Sequence, residues 1–186
     1  MPTYFRSTVG IVGLGKVGRQ LLSLLQPFDF NILIYSKYFP EEKAAAMKAK
    51  KVSLSELMSE SNVITLHAAN IPENRNMINR ELLSKMKDGA VLINTSRGDL
   101  IDEKALVDEL RTGRIYACLD VFTEEPPPRK SEFYKLQNCI ITPHIAGSIN
   151  QECYRLGHQV LRALKNYLAG KELSCEVRAD MIDKVA

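Results

Sequence analysis

Residues 8–26 read TVGIVGLGKVGRQLLSLLQ, an apolar run that breaks into Gly13-x-Gly15-x-x-Gly18 and then into a helical pattern. In that setting each glycine has its own task. Gly13 permits the tight turn, Gly15 lets phosphate oxygens approach the backbone, and Gly18 lets the helix pack close to the strand. The helix that opens at Lys16 and Val17 offers unpaired N–H groups and partial positive charge to an anion. Taken alone, a G-x-G-x-x-G run also describes ordinary tight turns. Between a strand and a helix it reads as a cradle for a dinucleotide pyrophosphate.

The rest of the chain repeats the same unit of short apolar run, turn and amphipathic helix. Strands are expected at 8–13, 31–35, 62–67, 90–95, 115–121 and 139–142, each rich in Val, Ile and Leu without strict alternation, as in strands covered on both faces. Helices are expected at 16–25, 40–49, 55–59, 80–86, 102–112 and 150–169, with Gly89, Gly113 and Gly170 as stop signals. This alternation predicts the α/β class, a doubly wound parallel sheet of the Rossmann type. The expected organisation is one dinucleotide-binding domain over 1–177 and a tail over 178–186.

Composition excludes several alternatives. With 25 Lys and Arg against 22 Asp and Glu, the net charge of +3 is small and the basic residues are scattered, which argues against a nucleic-acid partner. No apolar run approaches a membrane span, and the opening MPTYFRST has no signal-peptide core. The four cysteines show no metal-ligand spacing, so no metal is expected and reduced thiols in a cytoplasmic protein are the reading.

In a parallel sheet all strands end at one edge, and polar groups distant in sequence meet there. Arg97 follows the strand in AVLINTSRGDLID, Asp120 and Glu125 stand in YACLDVFTEEPPP, and His144 follows Pro143 in CIITPHIAGS. Singly, these are a surface arginine, loop acids and a hydrogen-bonded loop histidine. Together they match hydride transfer to a 2-oxo acid. The arginine holds the substrate carboxylate in a bidentate pair, and the histidine gives a proton to the carbonyl oxygen and takes it back in oxidation. A carboxylate beside the imidazole favours its protonated form.

These motifs, with GIVGLGKVG, LINTSRGDLIDEKAL, CLDVFTEEP and NCIITPHIAGS, resemble the coenzyme-binding domain of the D-isomer-specific 2-hydroxyacid dehydrogenases, nearly end to end from Val9 to about Val177. The resemblance implies Arg97, Glu125 and His144 as the catalytic set, with Glu125 the partner of His144. It implies cofactor contacts at Lys16, Val17, Ser36, Ala68, Ala69, Asn74, Thr95, Ser96, Arg97, Asp120, Ala146 and Gly147, with Asp120 facing the nicotinamide amide. It also implies a homodimer built through these domains, with the helices after Asn74 and around Arg80 as the contact.

Four departures from the family pattern stand out. Many relatives have an Asp where Ser36 stands, which binds the ribose hydroxyls and repels a 2′-phosphate; Ser36 removes that repulsion and Lys37 adds a counter-charge, so either NAD or NADP is expected with a lean to NADP. Asp29 precedes its strand and belongs to the opposite edge. Ala69 replaces a common proline, and Pro126–Pro128 form an unusual triple. The fourth departure is a substrate domain expected ahead of the first strand, for which residues 1–7 leave no room. A chain without it is expected to bind dinucleotide and to turn over no 2-oxo acid. A non-catalytic dinucleotide-sensing scaffold is the alternative, against which the retained Arg97, Glu125 and His144 weigh. A formate dehydrogenase relative would carry Gln in place of Glu125.

Overall fold

The computed structural model describes residues 5–173, 175–179 and 181. Seven strands are present: β1 (Thr8–Val12), β2 (Asn31–Tyr35), β3 (Lys50–Lys51), β4 (Val63–Leu66), β5 (Val91–Asn94), β6 (Tyr116–Leu119) and β7 (Cys139–Ile141). Six helices accompany them: α1 (Lys16–Leu25), α2 (Glu41–Ala46), α3 (Leu54–Glu60), α4 (Arg80–Ser84), α5 (Glu103–Arg111) and α6 (Gln151–Leu168). The strands form one parallel sheet in the order β3-β2-β1-β4-β5-β6-β7. The chain therefore winds outward from β1 in both directions and leaves its switch point between β1 and β4.

Local sequence accounts for most of these boundaries. Ser53, Asn79 and Asp102 cap α3, α4 and α5 through side-chain oxygens that accept backbone N–H groups from the first turn. Each such cap contributes about 1 kcal/mol. Sequence reasoning did not find β3. Two lysines carry no apolar signal, and this strand exists because its backbone pairs with Leu33 and Ile34 of β2. The helix expected over 40–49 stops at Ala46, and Lys48 takes a positive φ of 51° where the chain turns into β3. Only residues 178, 179 and 181 of the expected tail fall within the described residues.

Two apolar layers sandwich the sheet. Leu92, Ala117 and Leu119 face Leu83, Leu106 and Leu110 on one side. Val9, Ile11 and Ile34 face Leu22 and Ala44 on the other. The second layer does not extend across the whole sheet. Ile34, Ile11, Thr65, Ile93, Cys118 and Ile140 are register partners in one row across the strands, and so share a face. Ile34 and Ile11 are 0% exposed beneath α1 and α2, whereas Ile140 at the far end is 66% exposed. The long helix α6 leaves that face uncovered, and none of its own residues is buried. Among the described residues, no helix is long and apolar enough to cross a membrane.

Candidate functional site

The strand ends gather the expected groups at one edge of the sheet. The first turn there is held by two flanking strands: the Gly13 N–H donates to the Tyr35 carbonyl at 2.8 Å, and the His67 N–H donates to Val12 at 2.7 Å. Gly13 has φ +92°, and a Cβ on it would collide with the backbone of His67 and Ala68. Gly18 lies so close to the Gly13 carbonyl that a side chain there would overlap it. At Gly15, in contrast, a Cβ would meet nothing within 4 Å. Gly15 is the N-cap of α1 and supplies no side-chain hydrogen bond, so the first N–H groups of the helix, beginning at the exposed Lys16 and Val17, have no side-chain cap. An anion fits there without displacing any side chain.

Around this turn the neighbouring loops are braced by polar side chains bonded to backbone. Asn74 donates to the Ala69 carbonyl at 2.9 Å, which closes the loop 68–74. Asn94, 0% exposed, donates to the Arg97 carbonyl at 2.7 Å and accepts from the Ser96 N–H at 3.0 Å. Ser96 donates to the Leu66 carbonyl at 2.6 Å, tying this loop to β4. Thr95 and the Arg97 guanidinium are left exposed, the latter donating to the Ser96 carbonyl. Ser36 is half-buried at the end of β2, and Lys37 is exposed with its Nζ 5.5 Å from the Tyr38 ring centroid. Asp29 precedes β2 and belongs to the opposite edge, as the sequence implies.

The second cluster lies beyond β6 and β7. His144 Nδ1 is 2.6 Å from Glu125 Oε2. Glu125 Oε1 accepts the Phe122 N–H at 3.0 Å. The His144 hydrogen bond is the largest influence on the Glu125 carboxyl, and with the Phe122 N–H and the nearby Arg97 charge it holds that carboxyl below the ordinary range. An ionised carboxylate only accepts, so the proton of this bond sits on Nδ1 and the Nε2 atom is left for a reacting partner. His144 has φ +54°, a conformation held from below by Asp120. The Asp120 carbonyl accepts the His144 N–H at 2.9 Å, and its carboxylate accepts from the Thr142 hydroxyl and from the N–H groups of Ile145 and Ala146, both at 2.8 Å. Burial opposes charge on Asp120, but these bonds outweigh it and pull the carboxyl below its ordinary value. Loop residues 142–150, including Ala146 and Gly147, are exposed.

The candidate catalytic and cofactor-binding residues thus lie at the C-terminal edge of the sheet, in a loop leaving it or in the first turn of α1. Sequence reasoning missed the braces Asn94, Thr142 and Glu103. Their only signal was a polar residue at a strand end or helix start, where capping and turn roles are equally common. Burial pushes the Cys118 thiol up and the Cys139 thiol up to about 12, so both stay protonated and unreactive.

A doubly wound sheet with an open glycine turn at its switch point defines the class of dinucleotide-binding α/β domains. Residues 2–146 match the family described as D-isomer specific 2-hydroxyacid dehydrogenase, NAD binding domain, and the chain belongs to that family. It is 38% identical over 169 residues to a D-3-phosphoglycerate dehydrogenase of Methanocaldococcus jannaschii, covering 90% of this chain and 32% of that protein. It is 36% identical to a hydroxypyruvate reductase of Blautia hydrogenotrophica, covering 89% of this chain and 52% of that one. The chain therefore spans about a third to about half the length of these relatives. Among solved structures, a D-isomer specific 2-hydroxyacid dehydrogenase from Xanthobacter autotrophicus in complex with NADPH and MES matches with a TM-score of 0.82 and 27% identity, over 96% of this chain and 74% of that one.

The Asp120 brace has a defined pH signature. Its folded carboxyl titrates below the unfolded value, so its contribution is fully present above the unfolded value of about 3.9 and is lost as pH falls through the folded one. Asp120→Asn is expected to cost about 1–3 kcal/mol near neutral pH and to flatten the acid limb of stability below about pH 5. Urea unfolding at a series of pH values measures both effects.

Proposed function

We propose that this domain binds NAD(P)(H) along the edge from Gly13 to Gly147 and serves hydride transfer between that cofactor and a 2-oxo or 2-hydroxy acid. The observation that carries the reading is the 2.6 Å contact of His144 with Glu125, on the sheet edge that also presents the open α1 N-terminus. The Lys16 and Val17 N–H groups take the pyrophosphate, and Ser36 and Lys37 take the adenine ribose. Ala68, Ala69, Asn74, Thr95, Ser96, Ala146 and Gly147 line the rest of the path, and Asp120 lies toward the nicotinamide amide. The cofactor supplies and accepts hydride when bound.

Arg97 pairs with the substrate carboxylate and fixes which carbon faces the cofactor. As the carbonyl carbon gains hydride, the C=O π bond breaks and its electron pair takes the proton from His144 Nε2, giving the hydroxyl. Glu125 stabilises the imidazolium before transfer and keeps the Nδ1 proton in place afterwards. In oxidation the same Nε2 accepts the hydroxyl proton. His144 has a side chain 48% exposed and Glu125 one 35% exposed, so water screens their charges until a second body covers the edge.

Ser36 and Lys37 support NADPH binding at least as tight as NADH, because no carboxylate opposes the 2′-phosphate. Fluorescence titration with both cofactors tests this, and a tenfold preference for NADH, about 1.4 kcal/mol, overturns it. Ser36→Asp is expected to move the preference toward NADH.

The chain by itself is expected to bind cofactor and to give no useful turnover of glyoxylate, pyruvate or hydroxypyruvate. Among the described residues nothing on this edge holds the substrate's other side, and orientation is worth several orders of magnitude. A robust rate that disappears in His144→Ala would show that the single domain suffices.

The free thiols support a cytoplasmic location. Apolar surface supports a homodimer. Near α4 the surface is polar, with Arg80 paired to Asp108 at 2.5 Å. The uncovered residues lie instead on α6, where Tyr154, Val160, Leu161, Leu164 and Leu168 are each more than half exposed. A contiguous face of that kind exceeds what a lone domain ordinarily leaves bare. Sedimentation at micromolar concentration is expected to show a dimer that Leu161→Glu dissociates; a monomer throughout that range overturns the assignment.

A further inference from the structure

The loops that carry Arg97 and Glu125 are joined at one point. Arg97 leads directly into Gly98, which packs so tightly on the backbone of Phe122 and Thr123 that a Cβ would overlap it. Five residues after Gly98, at the first position of α5, Glu103 accepts the Thr123 N–H through Oε1 at 2.6 Å. The peptide groups at 122 and 123 are thus bonded in two directions: Phe122 N–H to Glu125, and Thr123 N–H to Glu103. Glu125 in turn holds Nδ1 of His144. A continuous chain of charge-assisted bonds runs from the start of α5 to the imidazole.

We propose that Glu103 is a positioning residue that locks the Glu125 loop against the Arg97 loop, and through Glu125 fixes the tautomer and orientation of His144. The assignment rests on the reading of Arg97, Glu125 and His144 as the reacting set.

An acid in the first turn of a helix ordinarily keeps its head in water and is favoured there by the helix dipole. Glu103 does not. Burial is the largest influence on its carboxyl and pushes it above the ordinary range, with only the Thr123 interactions pulling back. Asp99 and Glu125 add like-charge repulsion. A carboxylate held at that cost, with Asp102 already capping α5 through the Ala105 N–H at 3.0 Å, serves the Thr123 loop rather than the helix. Phe122 fixes the same loop from the apolar side, its ring 5.3 Å from that of Phe133. The ring sets the depth of the loop, and Glu103 sets its direction toward His144.

The chain has three histidines, so the imidazole resonances of His67, His144 and His158 separate readily, and His144→Ala assigns the one of interest. Long-range nitrogen–proton spectra, recorded at a pH where the ring is neutral by its own nitrogen shifts, report which ring nitrogen of His144 carries the proton. The unsubstituted chain and Glu103→Gln, whose amide oxygen still accepts the Thr123 N–H, are expected to show the Nδ1–H form. Glu103→Ala, and Glu103→Asp with its shorter reach, are expected to lower the ratio of Nδ1–H to Nε2–H by about tenfold, the size of one charged hydrogen bond. Unfolding is measured on each variant. Lowered stability with an unchanged tautomer in both Ala and Asp variants overturns the proposal, as does a Gln variant that behaves like Ala. Dinucleotide titration on the same samples separates the two questions. A shifted tautomer in a chain that binds no dinucleotide retains the positioning role and removes the dehydrogenase reading. Binding with an unmoved tautomer does the reverse.

Discussion

Parallel pairing in register is the constraint on which the rest of this structure depends. Because Val12, Leu66, Asn94 and Leu119 are aligned neighbours across four strands, whatever follows each of them emerges on the same edge. Gly13, His67, Thr95 and Asp120 are brought to one line by backbone hydrogen bonds alone, before any side chain chooses a partner. The winding order then opens a crevice between β1 and β4, where the loops diverge and a ligand finds room.

Rigidity at that edge comes from short polar side chains that bond backbone, more than from apolar packing. Asn74, Asn94, Asp120 and Glu103 each satisfy one or more backbone groups that the end of a strand leaves unpaired. The arrangement is economical in electrostatic terms. Asp120 is buried to 3% exposure yet stays ionised because three donors converge on it, and those donors belong to the segment that carries His144. Asp120 thereby sets the position of the His144 imidazole without touching the ring, by holding the backbone on either side of it.

The surface is unevenly finished. The row that begins at Ile34 and ends at Ile140 passes from complete burial to open exposure although both ends are isoleucine. Burying an isoleucine or leucine stabilises by roughly 1.5–3 kcal/mol, so the far end of that row and the apolar face of α6 hold unrealised association energy. An exposed His144–Glu125 pair has the same character in electrostatic form, since its charges gain strength only when water leaves. Both features support the proposed association with another body.

Much of this was legible from the chain alone. Apolar runs of four to six residues alternating with amphipathic stretches defined the strands, the helices and the parallel class. Gly13, Gly15 and Gly18 defined the turn, because only that spacing combines a positive φ with close packing to the next helix. The types and order of Arg97, Glu125 and His144 defined a candidate acid/base set, since loop residues after strands answer to chemistry more than to packing. Other features had no one-dimensional signal. β3 consists of two lysines and exists through backbone pairing with β2. The roles of Asn94, Asp120 and Glu103 depend on which N–H groups the folded loops bring within 3 Å of them, and that proximity is created by the sheet. The sequence by itself determined which residues are candidates for chemistry and which apolar segments form strands. Only the tertiary structure decided what holds them, because a hydrogen bond between loops distant in the chain is specified by geometry and not by residue type.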